Sequence, residues 1–304
     1  MTSTLLQMSV IIACGAIWRF FTPLGISAQQ TRQVLTTVVY YLLLPALVLE
    51  VLWHADIGIH SLYYTGLGIA CIVVAGLCSW LLGRLFKFQA KQMGAVLLAA
   101  AFANVTFLGL PVLEQLFGSW ARSVAIQLDL FAVAPFLYTF GILVARHFGR
   151  DGSVKPKSVL LFLNTPPFWA AFLAVILNLN NISTPLWLTG ILQKLAAAVV
   201  PLMLLSLGLA LSWQTLKIRQ LPYILVVSGI KLLLMPLVAL TLVTHLDLPT
   251  PFKAAAIMDL AMPSMLMGVV LCDRYHLDSS LYAMLVTVTT ALSLITLPFW
   301  YALL

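Results

Sequence analysis

The chain has 304 residues, of which 62% are hydrophobic and only 8% are charged. Soluble domains carry roughly 25% charged residues, so this chain has too few polar residues to cover a water-exposed surface. The composition excludes a soluble protein and predicts an all-α polytopic membrane protein. The formal net charge is +7, but the basic residues are scattered between apolar runs, so no nucleic-acid partner is expected.

Apolar stretches of about 20 residues are the unit that spans a lipid bilayer as a helix. The sequence contains ten such stretches, separated by short loops, and the first is expected to be a retained helix rather than a signal peptide. In chain order they are Leu5–Phe21, Val34–Trp53, Leu62–Leu82, Gly94–Phe117, Val124–Val144, Val159–Leu179, Leu186–Leu211, Leu221–Val243, Ala254–Leu271 and Leu281–Leu304.

The distribution of Lys and Arg predicts the orientation of these helices. Two basic residues, Arg122 and Lys253, are expected on one side of the membrane, and Lys194 and Lys231 fall within stretches. The side that carries the other twelve is predicted to be cytoplasmic, so both termini face outward and the loop at 145–158 is cytoplasmic. The twelve are Arg19, Arg32, Arg84, Lys87, Lys91, Arg146, Arg150, Lys155, Lys157, Lys217, Arg219 and Arg274.

Helix-breaking residues recur at matching places in the two halves of the chain. Pro201 follows Pro45 by 156 residues, and Met262-Pro263 follows Asn104 by 158 residues. Because each half has an odd number of stretches, the second half would enter the membrane from the opposite side. The sequence therefore predicts two inverted five-helix repeats, residues 1–148 and 159–304, joined by a cytoplasmic linker at 149–158.

Helices four and nine are predicted to be broken and to cross near the middle of the bilayer. Backbone that a break frees in lipid needs partners, and paired broken helices mark the substrate site of many transporters. A half-helix N-terminus attracts anions, because its N–H groups are unpaired and carry partial positive charge. The predicted substrate-binding residues are Asn104, Thr106, Pro111, Met262, Pro263 and Ser264. The alternative interpretation is two proline kinks packed against neighbouring helices.

Three ionisable residues inside the stretches are candidates for ion coupling or ion pairing, because a buried charge is costly in a membrane. Lys231 is expected to face the protein, either paired with an acid or attracting an anion. Asp259 lies one helical turn before the second break and is expected to bind a proton or a cation, or to pair with Lys231. Asp129 is the third candidate. Interfacial anchoring is the alternative for Asp129 and Asp259, as it is for Glu50, Glu114 and Lys194.

No cofactor and no enzymatic activity are expected. The four cysteines have no metal-ligand spacing, and no His pair has the spacing of a zinc site. The sequence has neither a nucleophile–base pair nor a phosphate-binding loop. Proton coupling and sodium coupling both stay open.

Several motifs, taken in order, resemble the auxin efflux carrier family of membrane transporters. They are Leu44-Pro45-Ala46-Leu47, Asn104 through Pro111, Leu163-Asn164-Thr165-Pro166-Pro167, Pro201-Leu202 with Ser206-Leu207-Gly208, Ala261-Met262-Pro263-Ser264, Cys272-Asp273-Arg274-Tyr275 and Leu292-Ser293-Leu294-Ile295-Thr296-Leu297-Pro298. The resemblance implies a compact bacterial carrier of the inner membrane that moves organic anions such as auxin or small dicarboxylates. It also implies a scaffold of helices one, two, six and seven, which can form a homodimer. A transport unit of helices three to five and eight to ten would move as an elevator.

Two departures from the family pattern bear on the substrate. The residue two positions after Asn104 is Thr106 rather than glycine, and the ninth stretch carries Met265 and Met267 in an apolar setting. An amphipathic substrate would place its carboxylate at the first break and its apolar body at the second. The alternatives are a sodium-coupled carrier of amphipathic anions, similar to bile-acid carriers, and a non-transporting membrane sensor of a ligand.

Overall fold

The structure is a computed structural model that describes residues 2–21, 25–55, 57–149, 163, 165–211 and 220–304, with side chains from residue 7 onward. These residues are helical apart from turns, loops and one isolated β-bridge, and they contain no β-strand. The predicted linker lies outside the described residues apart from Gly149. Arg150, Lys155, Lys157, Asn164, Lys217 and Arg219 also lie outside them.

Sixteen α-helical segments and five π-helical segments make up the described part of the chain. The α-helices α1 to α16 are, in order, Thr2–Trp18, Ala28–Val38, Leu44–Trp53, Ile59–Leu85, Ala90–Ala101, Leu110–Phe117, Ala121–Leu128, Ala134–Phe136, Ile142–Phe148, Pro166–Leu179, Leu186–Ala210, Leu221–Gly229, Met235–Val243, Thr250–Leu260, Gly268–Arg274 and Ser279–Leu303. The π-helical segments π1 to π5 are Val39–Leu43, Val105–Gly109, Asp129–Val133, Leu137–Gly141 and Ile230–Leu234.

Within the described residues, six continuous helical stretches are long and apolar enough to cross a membrane, which confirms the prediction of an all-helical polytopic membrane protein. They are Ala28–Trp53, Ile59–Leu85, Ala121–Phe148, Leu186–Ala210, Leu221–Val243 and Ser279–Leu303. Four shorter apolar helices accompany them: Gln7–Trp18, Ala90–Ala101, Val105–Phe117 and Pro166–Leu179. Predicted stretch four is divided after Ala101, and predicted stretch nine is divided between Leu260 and Gly268.

Proline explains four of the five π-helical segments. Pro45, Pro111, Pro135 and Pro236 each come two residues after a π-helical segment ends. Proline has no N–H, and its ring clashes with the carbonyl four residues earlier, so the helix widens by one residue instead of breaking. The carbonyl of Leu232, four residues before Pro236, accepts a hydrogen bond of 2.8 Å from the Trp300 indole N–H instead. A freed carbonyl in the bilayer thus acquires a new donor.

The helices form two packed groups. The first, here called the flank group, comprises α1, α2, α3, α10 and α11, whose main contacts are with one another. The second, the crossing group, comprises α4 to α9 and α12 to α16, which pack around the interrupted helices. Contacts between the groups are sparser and involve mainly α11 against π2 and α3 against α7.

Backbone-to-backbone contact between α1 and α11 holds the flank group together. A Cβ atom on Gly208 would lie 2.9 Å from Gly15 Cα and would overlap the Ile12 carbonyl oxygen. Small residues let membrane helices approach this closely, which increases their packing contacts. At the C-terminal end of α3, the Asn178 amide of α10 donates hydrogen bonds to the carbonyls of Leu52, Trp53 and Ala55. These bonds provide partners for carbonyl groups that the helix end leaves unpaired.

We expect Gly208→Ala to separate α1 from α11 and to destabilise the protein by roughly 1–3 kcal/mol, the usual cost of overpacking. The readout is the apparent melting temperature in detergent. Gly190→Ala, in the same helix, is the matched control because a Cβ there meets nothing within 4 Å. Equal melting temperatures for the two variants would contradict the close contact.

Candidate substrate site

The two interrupted helices meet at their breaks. Ala103 and Ser264 form an antiparallel β-bridge, the only β-bridge within the described residues. The Asn104 N–H donates to the Pro263 carbonyl at 2.9 Å, and the Met265 N–H donates to the Phe102 carbonyl at 3.0 Å. Each break therefore supplies hydrogen-bond partners to the other, as backbone within a membrane requires.

Helix α16 holds the second break in place. The Tyr282 hydroxyl donates to the Met265 carbonyl at 2.6 Å, and the Ser264 N–H donates to Thr289 Oγ1 at 3.2 Å. Gly268 admits the Tyr282 ring, since a Cβ at this position would overlap the phenol. The break is thus fixed from two sides, by the first break and by α16.

Asn104 occupies the N-cap position of the half-helix formed by π2 and α6, but its side chain makes no capping hydrogen bond. Asn104 is fully buried, and neither its amide oxygen nor its amide nitrogen has a partner. An unpaired buried amide is costly, so its presence at a helix N-terminus indicates a site for a ligand. The Ser264 hydroxyl across the bridge is also fully buried and unpaired.

The first break was predicted at Asn104, and the structure places the predicted substrate-binding residue Pro111 beyond it, in α6. The interruption covers Phe102 to Asn104, and Pro111 lies in α6 after the π-helical turn π2. Proline here widens the helix rather than ending it. Pro263 does lie in the second break, and Met262 beside it is fully buried.

Three cavities lie between the flank group and the crossing group near the bridge. The central cavity, of about 50 Å³, has walls from both groups, including Tyr40, Thr106, Asp129, Met265 and Met267. A vestibule of about 690 Å³ shares Tyr40, Tyr138 and Met267 with it and also contacts Arg32 and Arg274. A third cavity of about 10 Å³ continues past Thr106 and Asp129 to Val48 and Ala125.

A fourth cavity, of about 530 Å³, lies toward Arg122 and shares no lining residue with the other three. The central cavity therefore adjoins the vestibule at the Arg274 end of the protein and has no wall residue in common with the cavity at the Arg122 end. At that end, the Arg122 guanidinium contacts Glu114 in α6 and lies 3.5 Å from Glu50 in α3.

Only one of the six predicted substrate-binding residues, Thr106, lines the central cavity. Asn104, Met262, Pro263 and Ser264 lie directly beside it in the crossing but form none of its walls. Sequence reasoning missed the two tyrosines, Tyr40 and Tyr138. For Tyr40, the sequence did contain a signal: a tyrosine inside an apolar stretch, with Pro45 five residues later.

Asp129 lies at the wall of the central cavity and is half-buried. Its Oδ2 accepts a hydrogen bond from the Thr106 hydroxyl, and its Oδ1 has no partner. Tyr40 and Tyr138 are close enough to interact with it electrostatically. This carboxylate therefore faces the space that a substrate would enter.

Asp259 and Lys231 are both fully buried, so interfacial anchoring is wrong for Asp259. Asp259 fills the space left by the missing side chain of Gly109, and neither of its oxygens has a hydrogen-bond partner. Lys231 Nζ donates to the Met235 thioether at 2.9 Å. Lys231 interacts electrostatically with Asp259, but the two form no ion pair within 4.0 Å.

Metal-binding groups of three or more His, Cys, Asp or Glu side chains are absent from the described part of the chain. The four cysteines are free, and two of them are buried.

Crossed broken helices enclosing unpaired polar groups, in an all-helical protein with several apolar spans, define a membrane transporter. The family model described as membrane transport protein matches residues 1–301, so the chain belongs to this family, the auxin efflux carrier-like family that its motifs resemble.

Two curated relatives are similar over almost their whole length. An "uncharacterized transporter" of Methanothermobacter thermautotrophicus is 31% identical over 303 residues, covering 98% of this chain and 97% of the relative. A second "uncharacterized transporter", from Methanocaldococcus jannaschii, is 28% identical over 301 residues, covering 96% of this chain and 94% of the relative.

We expect Asp259→Asn to be at least as stable as the parent protein, because the carboxylate has no hydrogen bond or close cation to lose. The apparent melting temperature measures this, with Asp247→Asn in an exposed loop as the control. If Asp259 were instead half of a structural ion pair with Lys231, removal of its charge would cost roughly 3–5 kcal/mol. A loss of that size would contradict the geometry.

Proposed function

We propose that this protein is a secondary transporter of small organic anions, and that its crossing group slides against its flank group in an elevator motion. The substrate carboxylate binds beside the first break, at the N-terminal end of the half-helix from Val105 to Phe117. The apolar part of the substrate packs against Phe107, Met265 and Met267, which line the central cavity.

The observation that carries the proposal is the buried, unpaired Asn104 side chain at an uncapped half-helix N-terminus. A carboxylate there would accept hydrogen bonds from the amide and from the first N–H groups of the half-helix. Thr106, two residues after Asn104, lines the central cavity and so connects this end of the helix to it.

Charge at the vestibule also favours an anion. Arg32 of α2 and Arg274 of α15 line its walls with one acid, Asp273. Basic groups in a cleft raise the local concentration of anions and the rate at which they arrive. The central cavity beyond them is mostly apolar, which favours an organic acid over an inorganic anion.

The two-group packing supports the wider architecture that we propose. Each half of the chain supplies one interrupted helix, and the flank group contains the first helices of both halves, as two inverted five-helix repeats would require. Within this proposal the Arg274 end is cytoplasmic and the protein is in the inner membrane. A homodimer would form through the flank group.

Sodium coupling is a second candidate, favoured by the two unpaired oxygens of the buried Asp259 carboxylate. Carboxylate oxygens suit a hard cation, and the Met side chains at the cavity suit an amphipathic anion. Dependence of uptake on sodium separates this carrier from a sodium-independent one.

Proteoliposomes that contain the protein should take up at least one acid from a panel of labelled monocarboxylates and dicarboxylates, including indole-3-acetate and succinate. Empty liposomes are the control. Uptake should saturate with concentration and be inhibited by unlabelled acid. A panel without specific flux or binding would contradict an organic-anion transporter.

We expect Asn104→Ala to lower flux at least tenfold without loss of stability, because its amide makes no internal hydrogen bond. A charge-assisted hydrogen bond contributes about 1.5–3 kcal/mol, which sets this lower limit. Asn180→Ala, at an exposed position, is the matched control. Unchanged flux in Asn104→Ala would move the anion site away from the first break.

Glu50→Gln should weaken the closed Arg122 end, because Glu50 of the flank group pairs there with Arg122 of the crossing group. The loss of about 1 kcal/mol shifts the two-state equilibrium about fivefold toward opening at that end. Spin labels at the exposed positions Leu186 and Thr250, one on each group, report the shift as a change in distance distribution.

Glu114→Gln is the control for this experiment, since Glu114 and Arg122 belong to the same group. It removes a carboxylate from the same guanidinium without cutting a contact between the groups. Identical distance distributions for the parent, Glu50→Gln and Glu114→Gln would contradict a sliding interface at Arg122.

A further inference from the structure

We propose that Asp129 binds a proton that travels together with each substrate anion. The inference rests on the proposed function, which it extends by naming the coupling ion and its carrier. It starts from the position of Asp129 in the wall of the central cavity, where its Oδ1 has no hydrogen-bond partner.

In the Asp129 side chain, one carboxylate oxygen accepts a hydrogen bond and the other has no hydrogen-bond partner. The Thr106 hydroxyl donates to Oδ2, and Thr106 lines the same cavity. A hydroxyl donor to Oδ2 leaves Oδ1 as the place where a proton can be added without breaking the existing hydrogen bond. The π-helical turn that begins at Asp129 fixes the backbone at this point.

Among the described residues, Asp129 has no cationic partner. Ion pairs within 4.0 Å among the described residues join Arg122 to Glu50 and Glu114, and none reaches Asp129. The titratable groups around it are the phenols Tyr40 of π1 and Tyr138 of π4, and the carboxyl of Asp259 of α14. Behind Asp259 lies Lys231 of π5, and α4 carries Cys71 next to Lys231.

An ionised Asp129 would repel a substrate carboxylate in a cavity of only about 50 Å³. Two like charges a few ångströms apart near a protein interior weaken binding by on the order of a thousandfold. A proton on Oδ1 removes the repulsion and turns this oxygen into a donor to the substrate. One proton cancels the charge of a monocarboxylate and halves that of a dicarboxylate, so the anion with its proton is cheaper to carry through the membrane than the anion alone.

The proton is conserved in this cycle. It comes from water on the side to which the central cavity opens, binds Oδ1, and leaves from Oδ1 with the anion on the other side. Thr106 donates to Oδ2 throughout. In this structure the route to water runs past Tyr40 and Tyr138, which line both the central cavity and the vestibule.

Asp259 does not serve this role, because it lines none of the four cavities. Its carboxylate lies against Gly109 and interacts electrostatically with Lys231. Asp129 lines the central cavity, has Thr106 as its hydrogen-bond donor, and has no hydrogen-bond partner at its second oxygen. The two acids are therefore distinguishable by mutation.

The test uses proteoliposomes loaded with a pH-sensitive dye, with indole-3-acetate and succinate as the starting probes and labelled acid measured in parallel. With the parent protein, each anion that enters the lumen should bring in one proton and acidify it, and each anion that leaves should remove one proton. Binding of the acid to the parent protein should strengthen as the pH falls. Asp129→Asn should still bind the acid, since its amide can donate to a carboxylate. It should lose the proton movement and the pH dependence.

Asp129→Glu should retain proton movement, and Asp247→Asn, on an exposed loop, should behave as the parent protein does. Anion flux without proton movement in the parent protein would overturn the proposal. Proton movement that persists in Asp129→Asn would also overturn it.

A second readout separates this proposal from the proposed function. Infrared difference spectra between acid and alkaline pH should contain a protonated-carboxyl band that is missing in Asp129→Asn and needs no substrate. If neither probe moves but the band is present, the proposed substrate class fails and proton binding at Asp129 stands. If the band is absent, the proton site at Asp129 fails even where flux is measured.

Discussion

The rest of the structure depends on the requirement that backbone polar groups inside a membrane find partners within the protein. Two interrupted helices would each expose unpaired N–H and C=O groups if they stood alone. Here the breaks meet in an antiparallel bridge, with Asn104 donating to Pro263 and Met265 donating to Phe102. The crossing is thus the arrangement that lets both helices be broken at once. It also brings two half-helix ends into one place in the interior.

Polar residues of the protein interior lie in the segments where the helices depart from regular α-helical geometry. Each of the five described π-helical segments carries a polar residue of the interior: Tyr40, Thr106, Asp129 and Tyr138 line the central cavity, and Lys231 is fully buried. A π-helical turn shifts the side chains that follow it and places one residue outside the regular register. Proline thus has two roles in this chain. It accompanies the widened helical turns that carry polar side chains, and in the second break the Pro263 carbonyl accepts a hydrogen bond from the Asn104 N–H.

Much of the fold could be predicted because membrane insertion constrains composition so strongly. The length of the apolar stretches predicted an all-helical membrane protein, and the second break was placed correctly at Pro263. The first break was predicted at Asn104, where the structure has it, but the role of Pro111 could not be predicted, because proline in an apolar run does not distinguish a break from a π-helical turn. Pro111 illustrates this, since the interruption ends at Asn104.

The cavity could not be predicted from spacing. Tyr40 and Tyr138 lie 98 residues apart in the sequence and on different helix groups, yet both face Asp129. Whether Lys231 and Asp259 form an ion pair could not be predicted either, because opposite charges in a sequence do not give the distance between the two side chains. The structure separates the two acids, with Asp129 at the cavity wall and Asp259 buried against Gly109.

The central claim is that an organic anion binds where the two broken helices cross, between the flank group and the crossing group. The most direct test is an experimental structure determined in the presence of a transported acid. The account predicts density for the acid in the central cavity, with its carboxylate next to Thr106, Asn104 and Asp129. Density for the acid in the cavity beside Glu50 and Arg122, with the central cavity unchanged, would contradict it.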